Sequence, residues 1–189
     1  MSNWSSNLIL VDADYLDEVV FDMVVHFEPV IGRHLPQADL CHWLDCIALD
    51  GGLREGKHDV QAVFIHSKEK EAFKQFTPSH FENDLNGKAF EDYIGEFSLQ
   101  SFPVEKVVSQ SEFFVQSLEL ALTSSDVKRV MVIGDMAAYG EELKKVIAKS
   151  EGKEVTLFLM SPTEGQGFQR EILGYSLLAA LGIRSDELQ

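Results

Sequence analysis

The sequence predicts a three-layer α/β/α sandwich built on a mainly parallel sheet. Three observations carry that prediction. Residues 8–14 (LILVDAD) open with four apolar, mostly branched residues and run into two acids, the pattern of a strand buried on both faces of a parallel sheet. Residues 130–135 (VMVIGD) repeat it. Amphipathic stretches alternate with further apolar runs over most of the chain, and strand–helix alternation with right-handed crossovers gives a parallel sheet covered on both sides.

The chain has 189 residues, 45% of them hydrophobic, which fits one domain over 1–189 with a substantial core. Its apolar runs are far shorter than the roughly 20 residues of a membrane helix, so no membrane partner is expected. The opening MSNWSSN lacks the basic flank and apolar stretch of a secretion signal. Two cysteines, Cys41 and Cys46, give no disulfide framework, so a reducing cytoplasm is the expected compartment. The net charge is −15, and residues 1–60 hold 11 acids against 3 basic residues, a net of −8. Such a surface repels phosphate backbones and lacks the footprint of a nonspecific nucleic-acid binder. Bound divalent cations can reverse the sign of the local field, so a nuclease is not excluded.

From about residue 16, Val19, Val20, Met23, Val24, Phe27, Val30 and Ile31 recur at helical spacing. Asp17, Glu18 and Asp22 fall near the start, where the helix dipole favours negative charge, and Pro29 is expected to bend or end the helix. Asp39 reads as the N-cap of a second helix over 40–49, closed by Gly51 and Gly52. That helix carries Cys41, His42, Asp45 and Cys46. Cysteines five apart on a helix point in different directions and no second ligand pair follows, so buried free thiols beside a core Trp43 are expected rather than zinc. A loop over 51–58 leads into a buried strand over 60–67, a short helix holding Lys68, Lys70 and Lys74, and an irregular stretch over 77–87.

Helical turns are expected over 88–94. A strand over 99–108 follows, where Pro103 argues for an edge or a bulge. Ser111 can cap a helix over 112–123, followed by a strand over 130–134, a helix over 138–150 and a strand over 155–160. A leucine-rich helix over 168–181 closes the chain; it is expected to pack on its own sheet, with a homodimer as the alternative use of its apolar face. The six histidines show no ligand spacing, and only His66, at a strand end, is placed near the expected crevice.

In open α/β sheets function gathers beyond the carboxyl ends of the strands, which puts Asp12, Asp14 and Asp135 over one crevice. The order of elements and these acids resembles the NYN group of PIN-like domains, which are metal-dependent ribonucleases. The residues that carry the resemblance are Asp12-Ala13-Asp14-Tyr15-Leu16, Glu112 at a helix start, and Ile133-Gly134-Asp135 with the following helix, the Gly152-Lys153 turn and strand 155–160. It spans residues 8–160. Tyr15 stands where the family has Asn, Ala137 where it has a second Asp, and Ser109-Gln110-Ser111 where it has a basic-glycine lead-in. The resemblance implies catalytic Asp12, Glu112 and Asp135, and a metal set of Asp12, Asp14, Glu112 and Asp135 with Glu119 further out. It also implies Mg²⁺ or Mn²⁺ on hard oxygen ligands, activating a water against an RNA substrate. Loss of one carboxylate from such a set would leave a binding domain that no longer cleaves.

Asp12-Ala13-Asp14 also resembles the opening of the haloacid dehalogenase superfamily. There Asp12 would be the nucleophile and Asp14 the acid–base, with Ser67, Lys68 and Gly134-Asp135 in the remaining roles. Tyr15-Leu16-Asp17 departs from that family's continuation, and Tyr139 stands where its later motif has an acid. The third expectation is a non-catalytic α/β domain used for association, in which strand-end acids are ordinary helix caps.

Overall fold

The computed structural model describes residues 4–105 and 109–189. In chain order it contains β1 (Asn7–Asp12), α1 (Ala13–Ile31), β2 (Ala38–Asp39), α2 (Leu40–Asp50), β3 (His58–Ser67) and β4 (Phe76–Thr77). A single π turn (Phe81–Leu85) leads to β5 (Lys88–Glu91), β6 (Gly95–Val104), α3 (Gln110–Thr123), β7 (Arg129–Ile133) and α4 (Met136–Ala148). The chain closes with β8 (Glu154–Leu159), β9 (Gln169–Ile172), α5 (Leu173–Ala180) and a 3₁₀ turn (Ser185–Leu188). Seven strands form one sheet in the order β5-β6-β3-β1-β7-β8-β9. Every neighbouring pair is parallel except β5 with β6. The architecture is the three-layer α/β/α sandwich expected from the sequence.

The alternation of side chains along a strand builds two cores from one sheet. Ile9, Val11, Ala62 and Phe64 pack with Trp43, Leu44, Ile47, Leu173 and Leu177 of α2 and α5. Leu8, Leu10, Val63, Val130 and Val132 face the other way, toward Phe114 and Leu118 of α3 and Leu143 and Ile147 of α4. β1 is buried along its whole length, which is why it reads as an unbroken apolar run. Trp43 donates its indole N–H to the Ser176 hydroxyl at 3.1 Å, pinning α5 to α2. Among the described residues no helix is long and apolar enough to cross a membrane.

Several local expectations need correction. The first helix begins at Ala13, so Asp14 lies in its first turn; Pro29 is tolerated because it sits near the carboxyl end, where Gly32 at φ 73° closes the helix. The short helix expected to hold Lys68, Lys70 and Lys74 does not form. Residues 74 and 75 are held instead by the Asp17 carboxylate, which accepts both backbone N–H groups at 2.9 Å. The stretch 88–94 is not helical, because Lys88–Glu91 pairs antiparallel with β6 and Phe90 stacks on Phe97 at 4.7 Å. β6 is an interior strand. Because β5 reaches only to Leu99, the outer side of β6 is free at Pro103 and the missing N–H costs no ladder bond. The expected strand end over 106–108 lies outside the described residues.

Ser109, not Ser111, caps α3. Cys41 and Cys46 are free but only half-buried. The final helix is shorter than its leucine pattern implies, because Gln169–Ile172 pairs with the open edge of β8.

Candidate functional site

β1 sits near the middle of the sheet. The chain first builds outward through β3 and β6, then crosses to the other side of β1 for β7, β8 and β9. This reversal makes the gap between the carboxyl ends of β1 and β7 the topological switch point, the usual place for a ligand crevice. Asp12 ends β1, and Asp135 follows β7 as the N-cap of α4.

Asp12 is only 5% exposed. Its Oδ1 accepts the Tyr15 backbone N–H at 3.1 Å and the Gln110 side-chain amide at 2.9 Å. Its Oδ2 accepts the Tyr139 hydroxyl at 2.6 Å. That hydroxyl in turn accepts the Asp135 backbone N–H at 3.0 Å, so one phenol ties the two strand ends together. Burial raises Asp12 above the usual carboxylate range, the bonds from Tyr139 and Tyr15 pull it back, and the charges of Asp14 and Asp135 raise it again. Burial also raises the Tyr139 phenol and pushes Tyr15 up to about 12. Both rings therefore remain neutral near pH 7.

The local chain is shaped around Tyr139. Its backbone leaves the helical region at φ −141°, ψ 24°, and its ring packs on Phe114 with centroids 5.4 Å apart. A Cβ on Gly134 would come within 2.9 Å of Phe114 and 3.1 Å of the Tyr139 hydroxyl. Glycine there leaves room for the phenol to reach Asp12.

The remaining sequence candidates are spread around this hub. Asp14 faces the end of β3, where its oxygens accept the Ser67 N–H at 3.2 and 3.3 Å, with Lys70 Nζ at 3.9 Å. His66 stacks on Phe81 at 3.9 Å, and burial lowers its pKa, which keeps the imidazole neutral. Asp135 caps α4 through the Ala138 N–H at 3.2 Å. Glu112 is exposed on the first turn of α3 and lines a groove of about 390 Å³ with Val115, Ala138, Tyr139 and Glu142. Glu119 is exposed further along α3. Asp12 and Asp135 are thus joined through Tyr139, Asp14 serves the β3 end, and Glu112 stands apart on the groove wall.

Residues 1–188 match the model of DUF6621, described as a family of unknown function. The chain belongs to DUF6621. No curated protein and no solved structure matches it.

The crevice of this DUF6621 chain does not suit a divalent ion as it is arranged. Mg²⁺ and Mn²⁺ need several oxygen ligands turned toward one point. Here the oxygens of Asp12 are turned toward a backbone N–H, an amide and a phenol. Among the described residues no three His, Cys, Asp or Glu side chains are grouped so that they could hold a metal. Sequence reasoning missed Gln110 and Tyr139 as members of this site. Tyr139 left a signal, since it lies four residues after a helix-capping acid and so returns to the same side one turn on. Gln110 left none, because its role depends on how α3 lies across the strand ends.

Proposed function

We propose that this DUF6621 chain is a catalytically degenerate PIN-like domain that works by association, not by phosphodiester hydrolysis. The observation that carries the reading is the enclosure of Asp12 by the Gln110 amide and the Tyr139 hydroxyl at 2.9 and 2.6 Å. A carboxylate that recruits a cation must turn a free oxygen toward it; both oxygens of this one are already taken by N–H and O–H donors. The same enclosure weighs against Asp12 as a phosphatase nucleophile, which needs an ionised oxygen open to the phosphorus. α1 also begins at Ala13, leaving no segment between the acid and the helix to cover a substrate.

The test is calorimetric titration of Mg²⁺ and Mn²⁺ into the wild type and Asp12→Asn, paired with incubation on single-stranded RNA. The reading expects no metal heat that depends on Asp12 and no cleavage above the metal-only background. Mn²⁺ binding that disappears in Asp12→Asn, accompanied by RNA cleavage in the wild type, would overturn it and restore the ribonuclease reading.

A further inference from the structure

The two helical layers do not cover the sheet equally. On the α3 side, α3 packs on β3 and α4 lies beside α3. Outside α3, along β6, Glu96 is exposed and Ser98, Gln100 and Phe102 are half-buried, whereas the intervening Phe97, Leu99 and Ser101 are buried on the opposite face. Strands lie ~4.8 Å apart and packed helices 8–10 Å apart, so the strip over β6 and β5 is about as wide as one more helix.

The strip carries two distinct chemistries. Along its α3 side, Trp4, Val63, Phe102, Phe113 and Leu120 line an apolar groove of about 200 Å³, in which Leu120 is 54% exposed. At the amino end of β3 and β6, Asp59 is paired in register with Glu96, and Glu96 with Glu91. All three are exposed and share one face, placing three carboxylates side by side at roughly 5 Å intervals. Like charges directly opposite one another destabilise a sheet. Among the described residues none of the three has an ion-pair partner.

We propose that this face of β5 and β6 seats a basic amphipathic helix from a partner protein, with its apolar side in the groove and its lysines or arginines over Asp59, Glu96 and Glu91. The proposal rests on the association reading and names its surface. Phe102 lies six residues beyond Glu96, about 20 Å of strand and the length of a helix of about 13 residues. The charge complement selects a cationic partner. A second copy of a chain carrying −15 would meet the acid row with net repulsion.

Trp4 supplies the readout, because the other tryptophan, Trp43, is fully buried in the opposite core. The probe is a synthetic leucine–lysine amphipathic helix of about 14 residues, titrated into the full chain while tryptophan emission is followed. The expected result is a saturable shift in emission, weakened by salt. Affinity should fall about tenfold in Glu91→Gln/Glu96→Gln and at least as far in Leu120→Asp. Glu151→Gln/Glu154→Gln, distant acids of the same charge, should leave it unchanged. All five positions are exposed, and circular dichroism verifies that each variant is folded.

Equal binding by every variant, or no saturable shift, overturns the proposal, the first because attraction to net charge alone would explain it. A dimer in sedimentation that Leu120→Asp dissolves also overturns it, in favour of a second copy on this face. Failure of the probe without metal-dependent RNA cleavage removes this surface only; Asp12-dependent cleavage removes the association reading itself.

Discussion

Tyr139→Phe is the sharpest perturbation of the crevice, because it deletes one oxygen and leaves the ring packing on Phe114 in place. The lost hydroxyl donates to Asp12 Oδ2 at 2.6 Å and accepts from the Asp135 N–H at 3.0 Å. A hydrogen bond to an ionised group contributes ~1.5–3 kcal/mol, and an orphaned buried partner adds to the loss. The expected destabilisation is about 3 kcal/mol at pH 8, or roughly 6–12 °C in Tm for a chain of this size. The effect should depend on pH in a defined direction. The Tyr139 bond lowers the Asp12 pKa, so it favours the charged form, and removing it must hurt more where Asp12 is ionised. Urea unfolding at pH 5.5 and pH 8 with an unchanged m-value measures this. A loss below ~0.5 kcal/mol at pH 8, the level of an ordinary surface substitution, would refute the reasoning, as would a larger loss at pH 5.5.

Three further outcomes follow from the same structure. Gly95 has φ 152°, and a Cβ there would lie 2.0 Å from the His58 carbonyl oxygen; Gly95→Ala should part β3 from β6 and cost at least ~3 kcal/mol in thermal or urea unfolding. Gly174 lies in α5 with nothing within 4 Å of an added Cβ, so Gly174→Ala should instead stabilise by about 0.5–1 kcal/mol in the same assay. Asp45 has one buried oxygen without a partner, and burial together with neighbouring Asp92 pushes its pKa up to about 7. Its folded pKa lies above the 3.8 of a free aspartate, so its contribution to stability is full below that value and is lost as pH rises through about 7. Asp45→Asn should therefore exceed the wild type by about 1 kcal/mol at pH 8, after allowance for solvent screening, and the gap should close progressively as pH falls from about 7 toward 3.8.

The main architecture was legible because buried parallel strands announce themselves. The runs at 8–11 and 130–133 can bury both faces only inside a covered sheet, and both became β1 and β7 neighbours. The margins were harder. Lys88–Glu91 carries no long apolar run, and its strand character comes from pairing with Glu96–Leu99 across a short turn. Gln169–Ile172 was absorbed into the apparent final helix because the open side of β8, not its own composition, makes it a strand. At the crevice, the acids at strand ends could be read from sequence, and Tyr139 could be placed beside Asp135 by its spacing, but the link from either Tyr139 or Gln110 to Asp12 could not. Gln110 reaches Asp12 from 98 residues away and Tyr139 from 127 residues away, distances over which local pattern carries no information.

Those long separations also order events in time. β1 is made before its partners, so one of its edges waits for β3 and the other for β7, which begins at Arg129. A nascent chain that has not reached that strand carries an apolar ribbon with an open edge, the kind of surface that pairs with whatever strand it meets. Contacts between distant residues slow folding, because long loops must close before they are rewarded. Asp12 adds a late step at the same place, since its phenol partner emerges only after β7. The middle of the sheet, synthesised before the strands that flank it, is therefore among the last parts of the sheet to be complete.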